Sequence, residues 1–167
     1  MIRLENFTYK DFNLFKSWIK NEDELLQFAG PIFSYPILDQ ELSNYINDNR
    51  RISYKVIEVY SGEIVGHCEL NFENELPRLS RILIGNESKR SKGYGRTIVI
   101  EMLRLLFNDF GFSSADLNVF ELNYAAIKCY EKVGFKFNEG IVKEYLHKGN
   151  IWRAKNMIIN KSDLIKK

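Results

Sequence analysis

What this 167-residue chain lacks narrows its class before any motif is read. It has only two cysteines, Cys68 and Cys129, far apart and in no Cys-x-x-Cys spacing. That argues against a disulfide framework and against a zinc knuckle, and no metal site is expected. No apolar run approaches the ~20 residues of a membrane span, and the N-terminus carries no signal-peptide core, so a soluble cytoplasmic protein is expected. A strong charge of one sign is missing too. The formal net charge is +2, with acidic and basic residues mixed along the chain, which leaves no concentrated basic face for nucleic acid. Two familiar phosphate loops are absent: there is no Gly-x-x-x-x-Gly-Lys-Ser/Thr, and Ile98 stands where Gly-x-Gly-x-x-Gly needs its third glycine. No internal repeat, low-complexity tract or linker divides the chain. Hydrophobic residues make up 45% and aromatics 14%, enough for one domain with a sizeable core.

The stretch that organises the rest lies at residues 82–106. An apolar run, Ile82, Leu83 and Ile84, is short enough for a buried strand. Gly85, Asn86 and Ser88 break it, and basic residues crowd around Gly93 and Gly95. Apolar residues then recur at helical spacing, at Ile98, Met102, Leu105 and Leu106. Strand, glycine-rich basic turn and helix make a phosphate cradle. A helix N-terminus presents unpaired N–H groups and partial positive charge, glycine lets backbone approach an anion, and Arg90, Lys92 and Arg96 add charge. A Gly-x-Gly pair alone is weak, since glycine is about 7% of average sequence. The plain alternative is a tight turn before a helix with a solvated basic rim.

The remaining elements follow from periodicity. Residues 2–7 alternate as a strand, and Thr8 is a plausible cap for a helix carrying Phe12, Phe15, Trp18 and Ile19. Residues 21–28 read as a second helix. The loop at 29–36, punctuated by Pro31 and Pro36, is unusually apolar; it either packs over the core or lines a pocket. Asp39 can cap a third helix with Leu42, Tyr45 and Ile46. A period of two from Ile52, a turn at Ser61-Gly62 and a run at 64–72 make a hairpin, and a further strand spans 79–84. A helix at 97–108, a short strand at 117–120, a helix from Asn123 stopped by Gly134, and a hairpin of residues 135–146 and 151–159 about Lys148-Gly149 complete the order. Residues 161–167 read as a polar tail after one domain at 1–160.

That order resembles the GCN5-related N-acetyltransferase (GNAT) superfamily over nearly the whole chain. Two motifs carry the resemblance: Arg90-Ser-Lys-Gly93-Tyr-Gly95, and Asn123-x-x-Ala126-x-x-x-Tyr130-x-x-x-Gly134-Phe135. The spacing from Ile84-Gly85 to Gly93-x-Gly95 most resembles the branch that acetylates ribosomal-protein N-termini and related small-molecule enzymes. Ser91 stands where that branch often has glycine. The resemblance implies an α+β fold with a mixed, splayed sheet of about seven strands flanked by helices. It also implies acetyl-CoA as donor, CoA as product, and direct transfer to a primary amine of a small molecule or a peptide N-terminus, by a monomer or homodimer. The cofactor would be held by Ile82, Leu83, Ile84, Arg90, Ser91, Lys92, Gly93, Tyr94, Gly95, Arg96, Asn118, Asn123, Ala126 and Tyr130.

Attack of an amine on a thioester needs a held cofactor, a polarised carbonyl, a proton acceptor and a donor to the leaving thiolate. Backbone at 82–84 could pair with the cofactor's pantetheine arm like an added strand, and an N–H there could polarise the carbonyl. The resemblance places Tyr130 as the donor; a phenol of pKa ~10 suits a thiolate of pKa ~8.5. Without the motif, Tyr130 would read as an amphipathic residue on a helix face. Glu69 is the candidate base, with His67 on the same strand face by period two. Glu73, Asn118 and Glu121 are weaker candidates. Cys129 reads as a small buried residue, since direct transfer needs no acyl-enzyme. A catalytically silent acyl-CoA-binding module of the same fold, and a nucleotide-binding regulatory domain, stay open at this level.

Overall fold

Seven strands form one sheet in the computed structural model, which describes residues 1–165. They are β1 (Ile2–Asn6), β2 (Arg51–Glu58), β3 (Ile64–Asn71), β4 (Arg78–Ile84), β5 (Ser114–Phe120), β6 (Lys136–His147) and β7 (Asn150–Asn160), in spatial order β1-β2-β3-β4-β5-β7-β6. Every neighbouring pair is antiparallel except β4 and β5. The expected mixed sheet flanked by helices is therefore what the chain builds.

The helices are α1 (Phe12–Ser17), α2 (Glu22–Ala29), α3 (Asp39–Ile46), α4 (Tyr94–Arg104) and α5 (Tyr124–Val133). On one face, α4 buries Ile98, Val99, Met102 and Leu103 in a core shared with Cys68, Leu70, Leu117 and Met157 of the sheet. On the other, α1 to α3 pack Phe12, Phe15, Leu25, Leu42 and Tyr45 into a largely aromatic cluster. Burying such a side chain contributes about 2 kcal/mol. Strand β3 shows the alternation best: Cys68 and Leu70 join the α4 core, whereas His67 lies among the rings of Phe7, Phe15, Phe28 and Tyr45.

Three local expectations change. Thr8 starts a 3-10 turn, Tyr9–Asp11, before α1, and its N–H donates to Asp11 Oδ2 at 2.8 Å. Asp39 does not cap α3. It is the first helical residue, and the Glu41 carboxylate instead takes the N–H groups of Leu38 (2.9 Å) and Ser34 (2.8 Å). Helix α4 starts at Tyr94, earlier than the apolar period suggests, and gives way to a π-helical turn at Leu105–Asp109. Past Asn160, Lys161–Asp163 form a 3-10 turn and the Ile165 N–H donates to the Val133 carbonyl at 3.0 Å. Residues 166–167 of the expected tail lie outside the described residues.

Two irregularities of β4 place the site. Its pairing with β5 is confined to Arg78↔Asp116 and Leu79↔Leu117, after which the strands part. Its pairing with β3 slips by one: His67 opposes Leu83 and Glu69 opposes Ser80, so Arg81 and Ile82 together oppose Cys68. That extra residue is a β-bulge in β4, and Arg81 within it is left-handed, with φ 48°.

Candidate active site

A cavity of about 1130 Å³ opens where β4 and β5 part, large enough for a substantial ligand. Ile82, Leu83 and Ile84 line one wall, and Asn118, Val119 and Phe120 the other. Arg90, Ser91, Gly93, Gly95 and Arg96 close one end, with Asn123, Ala126 and Tyr130 of α5 beside them. The structure thus brings most of the expected cofactor residues to one space. Lys92 and Tyr94 are the corrections, because neither lines the cavity. Lys92 is exposed. Tyr94 turns its hydroxyl away to Glu58, which also receives Lys89 at 3.0 and 3.1 Å. That contact holds the loop from behind.

The loop's shape follows from its backbone. Gly93, at φ 87°, is the residue before α4, and Ser91, at φ 60°, is also left-handed. Left-handed residues in such a turn gather N–H groups into a concavity that suits anions. A serine there carries strain of about 1 kcal/mol that a glycine would not. The first turn of α4 adds its unpaired N–H groups. Lys128 and Lys132 line the same cavity and were missed in the sequence, although their spacing of four on α5 puts them on one helix face. At Gly95 an added Cβ would sit 3.7 Å from Cys129 Sγ, so α4 and α5 approach closely there. At Gly85 the Trp18 ring lies only 2.0 Å from where a Cβ would be; a side chain there would push Trp18, itself a wall of the cavity, out of place.

Helix α5 delivers Tyr130. Asn123 caps the helix by accepting the Ala126 N–H at 3.3 Å, and Gly134, at φ 120°, ends it. Tyr130 lies half-buried against Phe135, with ring centroids 6.0 Å apart. Burial raises its hydroxyl well above the ordinary phenol range, so it holds its proton at neutral pH. Burial also raises the neighbouring Cys129 thiol, which leaves it a poor nucleophile.

Glu69 is not where a base is needed. It is fully buried, faces the α1–α3 layer and does not line the cavity. Arg81 Nη1 donates to both its oxygens (2.7 and 2.8 Å), the Tyr45 hydroxyl to Oε2 (2.6 Å), Asn71 to Oε1 (3.1 Å) and Arg51 to Oε1 (3.4 Å). Period two did put Glu69 and His67 on one face. It could not say which face met the cavity, nor that Arg51, Arg81 and Tyr45 would converge there. The weaker candidate Glu73 lines the cavity but pairs with Arg50 at 2.6 Å; Glu121 does not line it.

His67 is fully buried, with Nδ1 3.0 Å from the Arg81 carbonyl and Nε2 3.4 Å from the Tyr45 hydroxyl. Nδ1 therefore carries the proton and donates. Burial lowers its pKa from the usual 6.5 to about 4, so it is neutral at pH 7. Between those values the unfolded chain binds more protons than the folded one, and stability rises with pH. The contribution is complete above pH 6.5 and is lost as pH falls towards 4; it amounts to about 3 kcal/mol. Melting temperature should therefore drop across that window, and His67→Gln should flatten the drop. An equal acid limb in both proteins would mean that other groups cause it.

The far end of the cavity is built differently. Glu24, Gln27 and Phe28 of α2, Pro31 of the apolar loop, and Lys143 and Tyr145 of β6 line it. That loop does both things open in the sequence: Phe33 is buried against Phe15 and Tyr45, while Ala29, Gly30 and Pro31 reach the cavity. Glu24 accepts the Lys20 N–H at 2.9 Å, capping α2. Asp23 meets His147 Nε2 and Lys148 Nζ, both at 2.7 Å, and Leu26 packs with Phe120 and Ala154. These contacts tie α2 to the β6–β7 hairpin beside the opening.

Comparison with known proteins agrees with this geometry. Residues 18–135 match the acetyltransferase (GNAT) family. An aminoglycoside N(6')-acetyltransferase type 1 of Klebsiella pneumoniae is 39% identical over 151 residues, covering 81% of this chain and 74% of that protein. A spermidine N(1)-acetyltransferase of Vibrio cholerae is 28% identical over 137 residues, covering 81% and 78%. The crystal structure of a spermidine N-acetyltransferase from Vibrio cholerae, in complex with CoA and spermine, superposes with a TM-score of 0.79 at 23% identity, over 97% of this chain and 96% of that one. Among the described residues no helix is long and apolar enough to cross a membrane. The chain belongs to the acetyltransferase (GNAT) family, and is an N-acetyltransferase that takes its acetyl group from acetyl-CoA.

Proposed function

We propose that the acceptor is a primary amine on a small polycationic molecule, a polyamine or an amino sugar. The observation that carries this is the polarity of the cavity. Its loop end holds Arg90, Arg96, Lys128 and Lys132, whereas all the carboxylates of its lining, Glu24 and Glu73, lie beyond them, beside Lys143 and beside Arg78 and Arg81, which are already paired with Asp116 and Glu69. A phosphate-bearing donor suits the first end and a cationic acceptor the second. The names of the two curated relatives support the same class. In this reading Ile82 to Ile84, left unpaired by β5, bind the pantetheine arm as an added strand. Gly93, Gly95 and Ser91 hold the pyrophosphate through backbone, with Arg90 and Arg96 beside them. Tyr130 protonates the leaving thiolate. With both oxygens of Glu69 engaged, the amine's proton passes to water in the cavity.

The same reading takes residues 1–160 as one domain, because a single sheet runs from β1 to β7. It places the protein in the cytoplasm, which suits the free thiols Cys68 and Cys129, as a monomer or homodimer. Peptide N-termini, the acceptors of the ribosomal-protein branch, are the second reading; it rests on the spacing from Ile84-Gly85 to Gly93-x-Gly95. An assay of thiol release against spermidine, an aminoglycoside and a short peptide separates them. Turnover is expected with the first two. Turnover with the peptide alone would support the second reading, and acetyl-CoA binding without turnover would mark a silent module.

A further inference from the structure

Fully buried Glu69 has no access to the reacting amine, yet it is the most heavily bonded carboxylate of the sheet. Its chief partner, Arg81, is itself unusual. It is the left-handed residue of the β4 bulge, at φ 48°, a conformation uncommon and strained for an L-residue with a Cβ. Both ends of Arg81 are constrained. Its guanidinium gives two hydrogen bonds to Glu69, and its carbonyl accepts from His67 Nδ1. The bulge it forms stands in the cavity wall, where β4 has already lost β5 as a partner.

We propose that Glu69 and His67 are positioning residues: they hold Arg81 left-handed, and the bulge so fixed presents the Arg81–Ile82 backbone to the thioester carbonyl of the donor. The proposal rests on the acetyl-transfer reading and gives Glu69 a part in it other than proton acceptance. Bulges that re-aim a backbone group are common beside active sites, and a donor aimed at a developing oxyanion acts only if held in place. Neither the Glu69 charge nor the Arg81 guanidinium then takes part in the reaction directly. What matters is the backbone angle they enforce.

That distinction makes the test specific. Arg81→Ala and Arg81→Gly remove the same guanidinium and leave Glu69 the same remaining partners. Only glycine adopts φ 48° without strain. Arg81→Ala should lower kcat by about tenfold or more, as expected for a displaced catalytic donor, and Arg81→Gly should recover most of that loss. Calorimetry should show the preference for acetyl-CoA over CoA following the same order. Glu69→Gln keeps an acceptor for Arg81 and should lose less than Arg81→Ala, with an unchanged pH–rate profile. Equal losses for alanine and glycine would overturn the proposal, since the guanidinium itself would then be what counts. So would a Glu69→Gln enzyme whose activity returns at high pH, the mark of a lost base. Failure of the acetyl-transfer reading would look different: a wild-type protein that turns over no amine. The Arg81 variants would then still be ranked by their acetyl-CoA over CoA preference.

Discussion

Tyr130→Phe is expected to lower kcat about 10²-fold or more while acetyl-CoA affinity holds, within the usual range for a lost general acid. The substitution removes one hydroxyl and keeps the ring, so packing against Phe135 and the α5 face persists. Burial keeps that hydroxyl protonated at neutral pH, the state a donor must be in. A proton passed to the departing thiolate is needed only as the carbon–sulfur bond breaks. Its loss should therefore appear in kcat rather than in KM, the signature of an interaction made mainly in the transition state. Steady-state kinetics with calorimetry of acetyl-CoA decides it. Wild-type turnover would return Tyr130 to a packing role.

The second large effect concerns the point where β4 and β5 part. Arg78 Nε and Nη2 bind Asp116 Oδ1 and Oδ2 at 2.8 and 2.6 Å, a two-pronged pair, and Asn156 adds a bond to Oδ2 at 3.0 Å. Asp116 is buried and Arg78 is mostly covered. Arg78→Ala leaves that carboxylate without its cation, a loss that exceeds the worth of a surface pair. We expect a destabilisation of about 2–3 kcal/mol, a fall in melting temperature of roughly 5–10 °C for a domain of this size. Asp116→Asn in the same background should recover part of it, because no charge is then stranded. Denaturant titration of the single and double variants measures the difference; equal stabilities for Arg78→Ala and wild type would show that the pair contributes nothing.

Much of this site was legible because its signals are local. Asn123, Ala126, Tyr130 and Gly134 share one helix whose cap and stop are written in neighbouring residues, and the structure puts the first three on one cavity wall. The hairpin about Lys148-Gly149 was legible for the same reason. What escaped depends on contacts between distant segments. The Glu69 clamp joins β2, β3, β4 and α3, and no spacing announces it. Alternation along β4 hides the bulge, since an extra residue is visible only against its partner strand. Tyr94 sits inside the glycine motif, yet its first residue of α4 points the ring to Glu58 and out of the cavity. Lys92 failed for a similar reason: nearness in sequence to Gly93 did not fix its direction.

The early end of the β4–β5 ladder has a consequence for the life of the polypeptide itself. The sheet keeps two paired residues at its middle and leaves the rest of that β4 edge without a β5 partner. A donor bound there, as proposed above, would join the native state and not the unfolded one, and would stabilise it by RT ln(1 + [L]/Kd), about 2.7 kcal/mol at a hundredfold excess over Kd. The exposed, protease-sensitive population shrinks by the same factor. Resistance of the protein to proteolysis should therefore rise with the concentration of acetyl-CoA or of CoA, each according to its own Kd.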